Sequence, residues 1–109
     1  MTQAPIYLQR HDHHAELVLN RPERRNALSA RMWSALPELL ADAADDPSIK
    51  LLVVRGEGGA FTAGADISEF ETVYATAEAA EAYTKAIAKG LDGLAHFPKP
   101  TLAVIRGAC

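Results

Sequence analysis

The chain has 109 residues, of which 49% are hydrophobic and 23% charged, a composition typical of folded globular domains rather than of disordered or fibrous chains. Its formal net charge of −3 gives no basic footprint, and no apolar run is long enough to cross a bilayer, so neither nucleic acid nor a membrane is an expected partner. The single cysteine, Cys109, excludes a disulfide within the chain, and the N-terminus lacks a signal-peptide pattern, so we expect a cytoplasmic location.

Two short strand-like runs come first, Ile6–Gln9 and Glu16–Asn20, and the polar segment His11–His14 between them predicts a hairpin. Arg21-Pro22 ends the second run, because proline cannot donate a hydrogen bond to a sheet. The histidines of the turn (His11, His13 and His14) invite a metal interpretation, but such neighbouring positions seldom converge on one ion. We therefore interpret them as a solvated hairpin turn and expect no metal.

Helical and strand-like patterns then alternate. A helix is predicted to begin at Ser29, whose hydroxyl suits the first-turn cap, and a second is predicted from Thr76 to about His96. The runs 49–54 and 101–105 are almost continuously apolar, which predicts strands buried on both faces, as in a parallel sheet covered by helices. This order indicates a single α/β domain.

The sequence of the second helix predicts both its apolar face and a weak C-terminal end. Its predicted apolar face consists of Ala80, Tyr83, Ile87, Leu91 and Leu94. Gly90 and Gly93 are expected to weaken its last turns, because glycine is a poor helix former.

The segment Phe61–Ile67 (FTAGADI) follows a predicted strand and a glycine-rich connection. The small residues at 63–65 allow a close approach of the backbone to a ligand. If Asp66 and Ile67 open a short helix, N–H groups there lack intrahelical partners and can stabilise a developing negative charge. A turn that only packs a strand against a helix has the same composition, and on composition alone it is the commoner case.

A second segment, Leu19–Ser29 (LNRPERRNALS), places three arginines within five residues on a loop between a strand and a helix. Guanidinium groups in such a loop can bind phosphates. The alternative is a solvated loop whose arginine stems cover nearby apolar surface. The sequence of this loop alone leaves both interpretations open.

With a third segment, Phe97–Ala108 (FPKPTLAVIRGA), these motifs occur in an order and spacing that resembles the crotonase (enoyl-CoA hydratase/isomerase) superfamily. The resemblance extends from about Ile6 to Ala108. It implies an α/β fold, a crotonase-like spiral of β-β-α units, of which residues 1–109 are expected to be the N-terminal part of a single domain.

The resemblance also implies a site. Family members bind acyl-CoA thioesters and stabilise an enolate with two backbone N–H groups, the first of which matches Ala65. The residues expected to contact coenzyme A are Arg24, Arg25, Ala63, Gly64, Ala65, Asp66 and Ile67. Asp66 is interpreted as a helix-start residue rather than a proton carrier. In the family, the second N–H and the catalytic glutamates lie beyond the position of Cys109, so no acid/base residue is assigned.

The favoured function is hydration of a 2-enoyl-CoA, with coenzyme A as part of the substrate and no separate cofactor. Isomerisation or another crotonase chemistry is one alternative, and a non-catalytic, degenerate or truncated acyl-CoA-binding fragment is another. We expect residues 1–109 alone to be inactive. By the same resemblance, the intact protein is expected to form a homotrimer or hexamer.

Overall fold

A computed structural model of the chain describes residues 4–107. The elements are β1 (Ile6–Arg10), β2 (His14–Leu19), α1 (Ala30–Asp45), β3 (Leu51–Gly56), the single-turn α2 (Phe70–Val73), α3 (Ala77–Ala95) and β4 (Thr101–Val104). Short 3₁₀ turns at Pro22–Arg24 and Ile67–Glu69 lie in the connections after β2 and after β3.

The four strands form one sheet in the order β1-β2-β3-β4. β1 pairs with β2 in antiparallel orientation, which confirms the predicted hairpin. β2, β3 and β4 are parallel, with α1 connecting the first two and α3 lying between β3 and β4. The predicted α/β architecture and the β-β-α succession are therefore present.

Both long helices begin where the sequence predicts. Ser29 caps α1, its Oγ accepting a hydrogen bond from the Met32 N–H at 3.2 Å. Thr76 caps α3 in the same way, with its Oγ1 3.0 Å from the Ala79 nitrogen. These hydroxyls satisfy first-turn N–H groups that have no intrahelical acceptor.

One hydrophobic core lies between the sheet and the two helices. Its fully buried side chains include Leu17 and Leu52 from the sheet and Met32 from α1. Strand residues alternate between faces, so Leu17 and Leu52 place the core on one side of the sheet.

The predicted apolar face of α3 is wrong at Leu91, which is 51% exposed. Instead, Gly90 and Gly93 face α1, where added Cβ atoms would lie 2.9 Å from Leu36 Cδ2 and Leu40 Cδ1 respectively. The glycines expected to weaken the helix are thus positions where side chains of α1 pack closely against it.

The predicted burial of two strands on both faces is also wrong within residues 4–107. In β3 only Leu52 is fully buried, while in β4 Leu102 is 52% exposed, and Ile105 just after it is 55% exposed. The helices in this part of the chain cover one face of the sheet, and β4 pairs on one side alone.

The histidine turn is held by polar contacts. His11 Nε2 lies 2.6 Å from Glu16 Oε1, and its ring stacks on His14 with centroids 4.4 Å apart. Among residues 4–107, no three His, Cys, Asp or Glu side chains are arranged to hold a metal ion. Of the helices within residues 4–107, none combines the length and the apolar character that crossing a membrane requires.

Candidate active site

The loop after β2 is organised around one buried amide, Asn26, which has no exposed surface. Its Oδ1 accepts from the Arg21 N–H at 2.7 Å, and its Nδ2 donates to the carbonyls of Glu57 at 2.8 Å and Ala60 at 2.9 Å. Its backbone adopts φ +58°, a conformation that asparagine tolerates better than most residues. Asn26 therefore joins the arginine loop to the connection that follows β3.

Gly56 makes that junction possible. A Cβ atom here would collide with the carbonyl oxygens of Ala60 and Phe61 and with the Asn26 side chain. Only a residue without a side chain lets the end of β3 lie so close to the next turn.

The predicted ligand-binding segment runs directly beside the arginine loop. The Ala63 N–H donates to the Arg25 carbonyl at 3.0 Å, and the Leu28 N–H donates to the Gly64 carbonyl at 2.7 Å. The Asp66 N–H in turn donates to the Leu28 carbonyl at 3.0 Å. The two regions singled out in the sequence thus form one short parallel ladder.

The same ladder sets the direction of the Ala65 N–H. Leu28 and Ala65 form a parallel bridge in which Leu28 bonds to residues 64 and 66, on either side of Ala65. Since peptide groups alternate in direction along extended backbone, the Ala65 N–H points away from Leu28. Within residues 4–107 this N–H has no hydrogen-bond acceptor, and Ala65 is only partly buried.

Gly64, immediately before it, has φ +98°, a region that disfavours any side chain. Its N–H donates to Thr62 Oγ1 at 3.1 Å, and the Thr62 hydroxyl donates to the Asn26 carbonyl at 2.8 Å. Thr62 therefore ties the turn that presents the Ala65 N–H to the backbone of Asn26.

Asp66 is a helix-start residue, as the sequence predicts. Its Oδ1 accepts from the N–H of Ser68 at 3.0 Å and from that residue's hydroxyl at 2.6 Å, which caps the 3₁₀ turn Ile67–Glu69. Its Oδ2 lies 3.0 Å from Arg21 Nη1. The Ser68 hydrogen bonds and the Arg21 guanidinium hold the pKa of this carboxyl below its ordinary value, so it is ionised at neutral pH.

The remaining predicted contacts are on the surface. The side chains of Arg24 and Arg25 are exposed, and Ile67 is 75% exposed. The structure brings Arg25 next to Ala63, while Arg24 lies in the 3₁₀ turn Pro22–Arg24 one residue away. Their predicted contacts with coenzyme A, and those of Ala63, Gly64, Asp66 and Ile67, stay predictions.

Two clefts adjoin the arginine loop and the end of β3. One, of about 410 Å³, is lined by Pro22, Arg25, Gly59 and Ala60. The other, of about 370 Å³, lies at the carboxyl ends of β3 and β4, and its lining includes Arg55 and Arg106. The carboxyl ends of parallel strands are where α/β sheets usually bind ligands.

Sequence reasoning missed Arg21 and Asn26 as organisers of the site. Arg21 was grouped with its neighbours as a phosphate candidate, although its guanidinium is bound internally to the Ala27 carbonyl at 2.8 Å and to Asp66. The signal for Asn26 is the residue type itself, since asparagine is the usual non-glycine choice for a left-handed turn position.

The fold is of the crotonase type, and Asn26 joins the two loops of the candidate site within it. A sequence profile of the enoyl-CoA hydratase/isomerase family matches residues 14–109, and the chain belongs to that family.

Individual relatives agree with this assignment. The crystal structure of an enoyl-CoA hydratase/isomerase family protein from Hyphomonas neptunium superposes with a TM-score of 0.93 at 53% identity, covering 97% of this chain and 41% of that one. The hydroxycinnamoyl-CoA hydratase-lyase of Pseudomonas fluorescens is 36% identical over 98 residues, covering 87% of this chain and 36% of its own length. The mitochondrial enoyl-CoA hydratase domain-containing protein 2 of Bos taurus is 39% identical over 98 residues, covering 85% and 31%. The predicted crotonase fold is confirmed, and the chain spans well under half the length of these relatives.

Proposed function

We propose that the protein carrying this chain is an acyl-CoA enzyme of the hydratase/isomerase type, in which the Ala65 N–H donates a hydrogen bond to the thioester oxygen. The observation that supports this most directly is the Ala65 N–H itself. It is unpartnered within the described residues, while both flanking residues are bonded to Leu28.

The physical argument is preorganisation. Addition to, or proton removal from, an acyl thioester moves negative charge onto the carbonyl oxygen, which becomes enolate-like. A donor that is already fixed and pointing at that oxygen stabilises the charge without reorganising during the reaction. The hydrogen bonds of Gly64 and Asp66 leave the Ala65 peptide little freedom to turn away.

The arginine loop suits the other end of the substrate. Coenzyme A carries several phosphate charges, and Arg24 and Arg25 present exposed guanidinium groups beside the segment that holds Ala65. Arginine pairs with phosphate through two parallel hydrogen bonds, which adds orientation as well as energy. We assign these two side chains to the phosphates, and coenzyme A enters as part of the substrate with no separate cofactor.

The relatives favour a role for this chain in binding the thioester rather than in determining which reaction follows. The Pseudomonas fluorescens relative is a hydratase-lyase by name, whereas the bovine relative is named for an enoyl-CoA hydratase domain. These two relatives have different names but share the region that this chain spans. We infer that this region binds the part that their substrates have in common. That part is the coenzyme A thioester.

Hydration of a 2-enoyl-CoA is the reaction we propose. Water adds its oxygen to the β-carbon and gives up one proton, while the electron pair of the C=C bond moves toward the thioester oxygen. The Ala65 N–H stabilises the resulting enolate. A proton then returns to the α-carbon, giving a 3-hydroxyacyl-CoA.

The test offers the purified full-length protein a 2-enoyl-CoA and, separately, a 3-enoyl-CoA. Hydration removes the conjugation between the C=C bond and the thioester, so the ultraviolet absorbance of the 2-enoyl-CoA should fall. A rise in that absorbance from the 3-enoyl-CoA would indicate isomerisation instead. Acyl-CoA binding without turnover of either compound would favour the non-catalytic alternative, and no binding at all would contradict the proposal.

A homotrimeric or hexameric assembly and a cytoplasmic location complete the proposal. Sedimentation of the full-length protein tests the first, and cell fractionation tests the second.

A further inference from the structure

Arg21 differs from the other two arginines of its loop in what it touches. Its Nη1 donates to the Ala27 carbonyl at 2.8 Å and lies 3.0 Å from Asp66 Oδ2. Its side chain is 18% exposed and that of Asp66 is 7% exposed. This guanidinium therefore links the arginine loop to the residue next to Ala65.

The ion pair completes a set of restraints around Ala65. On one side, Gly64 is held through its carbonyl by Leu28 and through its N–H by Thr62. On the other side, Asp66 is held through its N–H by the Leu28 carbonyl and through its carboxylate by Arg21. Of these contacts, the one to Arg21 is the only contact between two charged groups.

Such a contact is strong where water is excluded. A charged pair with low exposure is screened little by solvent, and removal of one partner leaves an uncompensated buried charge. Without Arg21, the Asp66 carboxylate would keep only its hydrogen bonds from Ser68, at its other oxygen. A shift of this side chain toward water would turn the 65–66 peptide and, through the Ala65 Cα, the adjoining 64–65 peptide that carries the donor.

We propose that Arg21 is a positioning residue for the reaction, which acts through Asp66 to hold the Ala65 N–H in its donating direction. This inference rests on the proposed oxyanion role of Ala65. A misplacement of about 1 Å at a reacting centre can lower the rate on the order of 10²-fold, so a small rotation of this peptide is enough to matter.

The principal variant is Arg21→Met in the full-length protein, assayed with the acyl-CoA that it turns over. We expect kcat to fall by about 10- to 100-fold. KM should stay nearly unchanged, because a loss confined to the transition state lowers kcat and kcat/KM equally. Arg21→Lys keeps the charge near Asp66 and should recover part of the lost kcat.

Because Arg21→Met leaves a buried carboxylate unpaired, it can fail to fold. The double variant Arg21→Met/Asp66→Asn removes both charges and avoids that penalty. If the ion pair positions Ala65, the folded double variant should still show the lowered kcat. A matched control is Arg10→Met, which breaks an Arg–Asp pair of 3.2 Å between β1 and the end of α1, away from the site.

A spectroscopic readout separates positioning from mere stability. A thioester carbonyl that accepts a strong hydrogen bond absorbs infrared light at lower frequency, so ¹³C-labelled acyl-CoA bound to the wild-type protein should show a shift. The shift should shrink in both Arg21 variants and persist in Arg10→Met. A purely structural role would lower the melting temperature but leave the shift of the folded, ligand-bound protein intact.

The two proposals fail in different ways. If the wild-type protein binds acyl-CoA without shifting the carbonyl band, the oxyanion role of Ala65 is wrong, and this inference falls with it. If the wild-type shift is present but folded Arg21→Met or the double variant keeps both the shift and kcat, only the role of Arg21 is overturned.

Discussion

A single buried amide, Asn26, joins the arginine loop to the connection that follows β3. Its side chain satisfies the Arg21 N–H and the carbonyls of Glu57 and Ala60, and the bond to Ala60 is fully buried. A buried backbone group without a partner costs far more than an average hydrogen bond contributes, which is why one side chain can govern a whole loop.

Asn26→Ala should therefore lower the free energy of unfolding of the full-length protein by about 3 kcal/mol, since the buried Ala60 carbonyl left unpaired costs roughly 1–3 kcal/mol and each of the two part-buried hydrogen bonds contributes about 0.5–1.5 kcal/mol. Urea unfolding monitored by circular dichroism measures this directly. Asn26→Gly is the control, because glycine accepts φ +58° without strain but supplies no side chain. A nearly unchanged Asn26→Gly protein would show that the backbone conformation, rather than the three hydrogen bonds, is what requires asparagine.

The arginine loop is the element whose proposed role is most open to measurement. Arg25→Ala should weaken coenzyme A binding by about 1.5–3 kcal/mol if its guanidinium meets a phosphate, the range for hydrogen bonds to charged groups. The loss should nearly vanish for a short pantetheine thioester, which lacks the nucleotide. Calorimetric titration of both ligands gives the comparison, and Arg31→Ala, an exposed arginine in α1, serves as the control. Equal losses for both ligands would mean that Arg25 acts through folding.

Much of the fold could be predicted from local sequence patterns. The caps at Ser29 and Thr76, the hairpin and the parallel strands follow from hydroxyls, turn residues and apolar runs that act within a few positions of themselves. Burial did not follow, because it depends on what covers a strand. Leu102 reads as a core residue, yet within the described chain its face of the sheet has no helix on it.

The roles of residues whose partners are distant in the sequence could not be predicted from local patterns. Gly90 looks like a weak point of α3 until its contact with Leu36 of α1 is seen. Asn26 and Arg21 have partners 31–45 positions away, at Glu57, Ala60 and Asp66, which no local pattern specifies. The small residues around Ala65 are contiguous and so can be recognised in the sequence, although only the family resemblance gives Ala65 its predicted role. The side chains that hold this segment are dispersed.

Within the described residues, the helices cover only one face of the sheet. Leu102 pairs with Val53 in the β3–β4 register, while Thr101 pairs with the core residue Leu52, so Leu102 faces away from the helices. Ile105, just beyond β4, is also more than half exposed. Apolar side chains at a sheet edge promote pairing with other chains.

We therefore predict that residues 1–109, expressed alone, will not be a stable monomer. Analytical ultracentrifugation should show association that grows with concentration, and Leu102→Lys should reduce it by placing a charge on the exposed strand. A monodisperse monomer with a sharp, cooperative thermal transition would contradict this expectation.

The proposed function depends on the Ala65 N–H, and Ala65→Pro in the full-length protein tests it most directly. Proline removes the hydrogen itself, and the substitution deletes no internal hydrogen bond, because this N–H has no acceptor within residues 4–107. Ala65→Gly keeps the N–H and is the control for changes in the turn. We expect folded Ala65→Pro to lose about 10²–10³-fold in kcat, the usual cost of one oxyanion donor, and Ala65→Gly to lose far less. A folded Ala65→Pro protein with near-normal kcat would show that this segment is a packing turn and not an oxyanion hole.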